Sequence, residues 1–275
     1  MNLADVYKIS KDFKTTPKMP VLFFGHGSPM NAIEENEFVA NWRKVAASLP
    51  KPKTILCISA HWITGGTAVT AMSNPRTIHD FGGFPQALFD VEYPARGNSK
   101  LAEVTAGLLT GENIHLDHQW GLDHGAWSVL KHLYPEANIP IVQLSLDAYK
   151  SPQQHYRLAK ELAILRRKGI LILGSGNIVH NLHLIDWPHM NKIDHAFDWA
   201  RDADTKIKNL ILSKDHNALQ DYVNLGTAVK LAVPTSDHYL PLLYILALQE
   251  DNDKLEFFND KAVGGSLTMT SLKLS

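Results

Sequence analysis

The chain has 275 residues, of which 45% are hydrophobic and 20% are charged, and its formal net charge is -1. This length and composition allow a large buried core, and the near-neutral charge provides no electrostatic basis for binding nucleic acid or an anionic membrane surface. The one cysteine, Cys57, cannot form an internal disulfide. The first nineteen residues are polar, and we find no apolar run of membrane-spanning length. We therefore expect a cytoplasmic protein that binds neither nucleic acid nor membrane.

Short apolar runs alternate with helical periodicity along the chain. Strands are predicted at residues 21–24, 54–59, 67–72, 139–144, 170–173, 255–258 and 267–274, the last as an edge strand. Helices are predicted at residues 36–49, 99–109, 126–133, 152–168, 195–212 and 239–248, with Ser99 as the N-cap of the second. The cluster Arg166-Arg167-Lys168 lies late in the fourth of these helices, so we interpret it as a solvated helix end.

Strands that alternate with helices, and that are apolar throughout, indicate an α/β sheet covered on both faces. The predicted fold is one three-layer domain over residues 1–275, with a mixed, mostly parallel central sheet flanked by helices. In such sheets, ligands bind beyond the carboxyl ends of the strands. The residues that follow each predicted strand are therefore the first candidates for a functional site.

Two histidines follow predicted strands directly. His26 lies between two glycines after the first strand, and His61 follows the second strand beside Trp62. Flanking glycines let the backbone turn sharply, and neutral imidazole is the commonest metal ligand. The pair therefore predicts a metal site, whereas each histidine alone is equally compatible with a turn or a single hydrogen bond.

Three further histidines, His124, His180 and His238, lie at the mouths of predicted helices. Helix mouths can hold polar groups in place, although capping by neighbouring residues would explain the same patterns. Six of the 14 histidines lie in polar stretches, and we expect them at the surface: His115, His118, His155, His189, His195 and His216. We find no dinucleotide-binding glycine motif, P-loop or His-Glu-x-x-His motif, and neither Ser28 nor Ser175 lies in a nucleophile elbow.

Several ordered motifs together resemble a known family. They are Gly25-His26-Gly27-Ser28-Pro29-Met30, Ser59-Ala60-His61-Trp62, Asp80-Phe81-Gly82-Gly83-Phe84-Pro85, Tyr93-Pro94-Ala95, Gly121-Leu122-Asp123-His124-Gly125, Ser175-Gly176-Asn177-Ile178-Val179-His180-Asn181-Leu182 and Asp237-His238-Tyr239-Leu240-Pro241-Leu242. The chain resembles the class III extradiol ring-cleaving dioxygenases of the protocatechuate 4,5-dioxygenase type, and within them the single-chain DOPA 4,5-dioxygenase branch. The resemblance spans nearly the whole sequence.

The resemblance implies a mononuclear metal, Fe(II) in active enzymes, with His26, His61 and His238 as ligands. The wider class often uses two histidines and one carboxylate, so Asp237 is an alternative ligand. The resemblance also suggests His180 as the acid/base residue and His124 as a residue that orients substrate or oxygen. If Zn²⁺ occupies the purified protein, its tetrahedral preference could recruit His180 as a fourth ligand.

The implied reaction joins a catechol, such as DOPA, with O2 and opens the ring beside the hydroxyl pair, giving a muconic semialdehyde. Residues 80–94, with Phe81, Phe84, Phe89 and Tyr93, could form a wall over the aromatic substrate or an ordinary loop. No Arg or Lys can be assigned to a substrate carboxylate, so the substrate-binding residues stay unassigned. A single-chain enzyme of this kind is expected to be a monomer or a homodimer.

Two other functions use the same histidines. A zinc-dependent hydrolase would activate water at an open coordination position, and a protein without catalytic activity would store or sense the metal. The glycine-rich context of His26, and the lack of a clear catalytic carboxylate, favour the dioxygenase over the hydrolase.

Overall fold

The computed structural model describes residues 13–109, 113–190 and 192–275. Its strands are β1 (Val21–Gly25), β2 (Thr54–Thr64), β3 (Ala68–Thr70), β4 (His115–Asp117), β5 (Ile141–Asp147), β6 (Ile170–Gly176), β7 (Leu255–Phe258), β8 (Ala262–Val263), β9 (Leu267–Thr268) and β10 (Ser271–Leu274). Eight of them form one sheet in the order β4-β3-β5-β2-β6-β1-β10-β7, while β8 and β9 form a small separate ribbon.

The central strands run parallel and the sheet is mixed towards its edges. The pairs β1–β6, β2–β6, β2–β5 and β3–β4 are parallel, whereas β1–β10, β7–β10 and β3–β5 are antiparallel. The prediction of a mixed, mostly parallel sheet is therefore confirmed. Because β1, β2 and β6 are adjacent and parallel, their carboxyl ends meet at one rim.

Helices cover both faces of this sheet. They are α1 (Glu37–Ala47), α2 (Gln86–Phe89), α3 (Ser99–Leu108), α4 (His124–Leu133), α5 (Pro152–Lys160), α6 (Asp198–Leu212), α7 (His216–Gln220), α8 (Thr227–Ala232) and α9 (Leu240–Ala247). Short 3-10 turns lie at Pro29–Ala32, Ala163–Lys168, Leu182–Leu184, Trp187–His189 and Tyr222–Asn224. None of the helices within the described ranges combines the length and the apolarity needed to cross a membrane.

Alternate residues of each central strand enter two separate hydrophobic cores. In β1, Val21 and Phe23 belong to one core, and Leu22 and Phe24 belong to the other. This period of two is what a strand buried on both faces requires. The sheet is thus the middle of three layers, with Cys57 as a buried small hydrophobe in β2, where burial raises the pKa of its thiol.

Several predicted boundaries were wrong. The N-cap of α3 is Asn98 rather than Ser99, since the Asn98 side chain accepts a hydrogen bond from the Leu101 amide. The helix predicted over residues 152–168 ends at Lys160 and is followed by a 3-10 turn that Gly169 terminates in a left-handed conformation. The strand predicted over 267–274 is divided into β9 and β10, and β10 is internal because β1 and β7 flank it.

Two polar side chains predicted at the surface are fully buried. Arg166 donates hydrogen bonds to the backbone oxygens of Met19 and Leu248 and forms a bidentate ion pair with Asp253. His155 lies between the Tyr244 hydroxyl and the backbone oxygen of Asp147, and burial lowers its pKa to about 4. Except for Asp147, these partners are distant in sequence, so local polarity could not reveal them.

Candidate metal centre

Five histidines converge where β1, β2 and β6 end. His26 follows β1 directly, His124 is the first residue of α4, and His180 lies four residues beyond β6. His238 precedes α9, and the ring of His26 lies 5.3 Å from that of His238 between centroids. All five side chains line one cavity, so each histidine predicted for the site lies there.

An irregularity in β2 positions His61. The strand continues to Thr64 rather than ending at Ser59, but its register with β5 shifts between Ile58 and Ile63. Such irregularities redirect side chains at the edges of sheets and near functional sites. Gly125 makes room for the His61 ring, because a β-carbon there would lie 2.8 Å from His61 Cδ2 and 2.5 Å from Ser59 Oγ.

The imidazoles of His26 and His61 face each other at close range, with 3.2 Å between their Nε2 atoms. His26 Nδ1 lies 3.0 Å from Ser175 Oγ, and that hydroxyl donates its proton to the backbone oxygen of Gly125. Ser175 must therefore accept from a protonated Nδ1, which leaves His26 Nε2 with a lone pair. His61 Nδ1 lies 3.3 Å from a carboxylate oxygen of Asp80, an arrangement that favours the same tautomer.

Two lone pairs 3.2 Å apart repel each other unless a cation lies between or beside them. Burial, together with the neighbouring histidines, lowers the pKa of both His26 and His61 well below its ordinary value, so protonation is a poor solution. A divalent metal ion suits neutral imidazole nitrogens, and the residues present therefore fit one.

A carboxylate orients His238 in the same way. His238 Nδ1 makes a short hydrogen bond to Asp237 Oδ2, which leaves Nε2 available. Burial raises the pKa of Asp237, but the hydrogen bond with His238 outweighs it and holds that pKa below its usual range. Carboxylate–histidine pairs of this kind fix the tautomer and orientation of metal-binding histidines. Asp237, the alternative metal ligand, is thus hydrogen-bonded to His238, the ligand that it would replace.

His124 is a rival for the third ligand position. One nitrogen each of His26, His61 and His124 lie within 4.8 Å of one another. The His61 ring lies 3.8 Å from that of His124 and 5.0 Å from that of His238, measured between centroids. The His26 ring, in contrast, lies 5.8 Å from that of His124 and 5.3 Å from that of His238, so distance alone does not choose between the two.

Two carboxylates that support the site, those of Asp80 and Asp123, were not predicted. Asp80 accepts from the His124 amide at 2.9 Å and lies 2.9 Å from His124 Nδ1. Burial raises the pKa of Asp80, but the contacts with His124 lower it by more, so the net pKa is below its ordinary value. Asp123 is fully buried and accepts from the Ser59 hydroxyl and the Gln143 side-chain amide, and burial raises its pKa. Both residues occur in the quoted motifs, but only their spatial partners reveal their positions.

His180 packs flat against His238, with 3.5 Å between ring centroids and 6° between ring planes. Burial, followed by repulsion from His238, lowers the pKa of His180 to about 3. The side chain is therefore a neutral imidazole at physiological pH and can accept a proton.

Comparison with known proteins decides the family. Residues 15–270 match the family described as the catalytic LigB subunit of aromatic ring-opening dioxygenase. The chain belongs to the LigB family. It is 42% identical to "4,5-DOPA dioxygenase extradiol" of Escherichia coli K12, over 94% of this chain and 96% of that protein. It is 35% identical to the Beta vulgaris protein of the same name, over 92% and 95% of the two chains.

A solved structure of a LigB-fold protein agrees with this assignment. The crystal structure of an uncharacterized protein from Escherichia coli K12 superposes with a TM-score of 0.82 at 37% identity, over 94% of this chain and all of that chain. The prediction of an extradiol ring-opening dioxygenase is confirmed, and the hydrolase alternative is not favoured.

The cavity above the histidines has a volume of about 490 Å³, within the range of small-molecule sites. Phe81 and Phe84 line it, as the predicted aromatic wall requires, while Phe89 packs behind Phe81. Tyr93 is buried elsewhere and donates to the Tyr134 backbone oxygen. Another part of the lining of this LigB-family cavity was not predicted; it is formed by Leu182, Ile185, Trp187 and Met190.

Replacing Ser175 with alanine is expected to weaken metal binding by about 10- to 100-fold, because His26 Nδ1 loses its acceptor. Competition with a chelator measures this change. Ser28→Ala is the matched control, since Ser28 lines the cavity but its hydroxyl, among the described residues, accepts only from the Met30 amide. Equal metal affinity in the two variants would contradict a role for Ser175 in fixing His26.

Proposed function

We propose that this dioxygenase holds an iron(II) ion with His26, His61 and His238 and cleaves DOPA or a related catechol to a muconic semialdehyde. The observation that carries the proposal is the pair of facing Nε2 atoms, 3.2 Å apart, whose Nδ1 atoms are engaged elsewhere. When bound, iron lowers the pKa of the catechol hydroxyls and supplies the redox step with O2, which zinc would not. Residues 1–275 act in this proposal as one catalytic domain, as a monomer or homodimer.

Charge balance supports a catechol as the substrate. Three neutral imidazoles leave the full charge of a divalent ion, and the carboxylates of Asp80 and Asp237 are turned towards imidazole Nδ1 atoms. A catecholate would bring the compensating negative charge. Phe81 and Phe84 would contact the aromatic ring, consistent with their place on the cavity wall.

His180 is the proposed base. Its neutral ring lines the cavity and would take the proton of the second catechol hydroxyl. The protonated ring would then donate this proton back later in the reaction. Burial and the neighbouring His238 hold the pKa of this ring low, so it is neutral and can accept a proton. His124 would orient the substrate or O2, with Asp80 holding its ring.

The deciding experiment is anaerobic reconstitution with Fe(II), followed by DOPA, caffeate or protocatechuate and then oxygen. We expect oxygen uptake and a yellow ring-opened product with at least one of them. No oxygen uptake across a broad catechol panel, together with ester hydrolysis by the zinc form, would overturn the proposal.

Charge at the cavity mouth favours catechols that carry a protonated amine. Among the described residues that line the cavity there is no Lys or Arg, whereas Glu34 contributes a carboxylate at its exposed edge. Within the described part of the chain, this carboxylate has no hydrogen-bond or ion-pair partner. The amine of DOPA is one group that Glu34 could contact.

We therefore expect Glu34→Gln to raise the KM for DOPA by about two- to fivefold, because exposed ion pairs contribute up to about 1 kcal/mol. The kcat should not change, and steady-state kinetics with DOPA and protocatechuate measure both parameters. Glu35→Gln is the matched control, because Glu35 pairs with Arg43 outside this cavity. An equal change in KM for both catechols would argue against recognition of the amine.

A further inference from the structure

A second group of metal-binding side chains lies outside the catalytic centre, in the segment between β6 and α6. One ligand atom each from Asp186, His189 and His195 lie within 4.8 Å of one another. Asp186 Oδ2 is 2.9 Å from His189 Nδ1 and 2.7 Å from His195 Nε2. One nitrogen of each imidazole therefore lies at hydrogen-bond distance from the same carboxylate oxygen of Asp186.

The backbone fixes these side chains from both ends of the segment. The Asp186 amide donates to the Gly264 backbone oxygen at 2.9 Å, and the His195 backbone oxygen accepts from the Gly265 amide at 3.0 Å. His189 ends the 3-10 turn that follows Asp186, and a spacing of three residues in such a turn places side chains on the same side. The group is therefore assembled by the fold, before any ion is bound.

We propose that Asp186, His189 and His195 form a second divalent transition-metal site, for which Zn²⁺ is the best-suited ion. Nitrogen and carboxylate ligands suit zinc, whereas Ca²⁺ and Mg²⁺ prefer oxygen alone. Zinc bonds of about 2.0–2.2 Å in tetrahedral geometry separate ligand atoms by about 3.3 Å. The observed separations of 2.7 and 2.9 Å would need to widen by only a few tenths of an ångström.

The segment that carries this second metal site also forms part of the wall of the catalytic cavity. Ile185, Trp187 and Met190 of the same segment line the catalytic cavity. His189 is 54% exposed, and Asp186 and His195 are about one-fifth exposed, so an ion can reach the group from solvent. A bound ion would tie this wall of the cavity into one arrangement.

Zinc stoichiometry tests the proposal. The full chain is stripped with a chelator, titrated with Zn²⁺ alone, desalted and analysed for metal. We expect two zinc ions per chain, of which one is lost in His189→Ala and in His195→Ala and the other in His61→Ala. His183→Ala, an exposed histidine of the same segment outside the group, should keep both.

A protease readout keeps the test independent of catalysis. Lys192 is exposed within the segment, and zinc should slow tryptic cleavage there in the wild type but not in His189→Ala. Asp186→Asn, which keeps a hydrogen-bond acceptor, should also lose this protection if His195→Ala folds poorly. A wild-type stoichiometry of one that only His61→Ala abolishes would overturn the proposal. If the catalytic centre bound no zinc, a single ion that is lost in His189→Ala and His195→Ala but kept in His61→Ala would still support it.

Discussion

Replacing His180 with alanine is expected to leave the metal content unchanged while lowering kcat by about 10²- to 10⁴-fold, the usual contribution of a general acid–base group. The reason is its position: the ring lines the cavity parallel to His238, but among the described residues no carboxylate orients it as Asp237 orients His238. Metal analysis and single-turnover measurements with a catechol give the two quantities separately.

The matched comparison is with His61→Ala, which should lose both metal and turnover. If His180→Ala loses as much metal as His61→Ala, His180 is a metal ligand and the proposed acid/base role is contradicted. The same assay separates the rival third ligands, because His238→Ala should lose metal and His124→Ala should retain it. The opposite result would place His124 in the ligand set.

Replacing Asp253 with asparagine is expected to lower the free energy of unfolding by about 3–5 kcal/mol, the usual effect of removing one partner of a buried ion pair. The Asp253 carboxylate accepts from both terminal nitrogens of Arg166, from Lys18 and from the Glu250 amide. Asparagine would leave the fully buried guanidinium without its paired carboxylate. Urea unfolding at pH 7 measures the change.

The stability contributed by this ion pair depends on pH through the carboxyl group of Asp253. Burial raises the pKa of Asp253, but the hydrogen bonds from Arg166 and Lys18 lower it more, so the folded-state pKa lies below the ordinary value. Its stabilisation is complete above the unfolded-state pKa of about 3.9 and is lost as the pH falls through the folded-state value. The difference between wild type and Asp253→Asn should therefore shrink below about pH 4.

Glu250→Gln is the control for the stability experiment. Glu250 pairs with Arg167 at the surface, where both side chains are partly exposed, so its loss should cost less than about 1 kcal/mol. A similar cost for Glu250→Gln and Asp253→Asn would contradict the importance of burial.

Local patterns in the sequence were sufficient for most of the fold. The apolar runs of β1, β2 and β6 identified the central strands, and their shared direction placed His26 and His61 at one rim. Neither the extension of β2 past Ser59 nor the burial of Arg166 could be predicted in this way. Both depend on partners far along the chain, such as β5 for the strand and Asp253 for the guanidinium.

In the metal site, too, local sequence motifs predict some features, whereas others depend on residues far along the chain. The motifs contain all five histidines, but the tautomers depend on Ser175, Asp80 and Asp237, whose contacts are set by packing. The wall formed by residues 182–190 has no apolar period that distinguishes it from an ordinary loop. Its contribution to the cavity becomes evident only once the segment is seen pinned against Gly264 and Gly265.

The cavity wall formed by Leu182, Ile185, Trp187 and Met190 contributes none of the five clustered histidines. Substitutions there can reshape the space around a substrate while the groups that bind the ion and move protons stay in place. Substrate range and reaction type can therefore diverge at different rates during evolution. Relatives that share the histidines but differ in this wall would be expected to open the rings of different catechols.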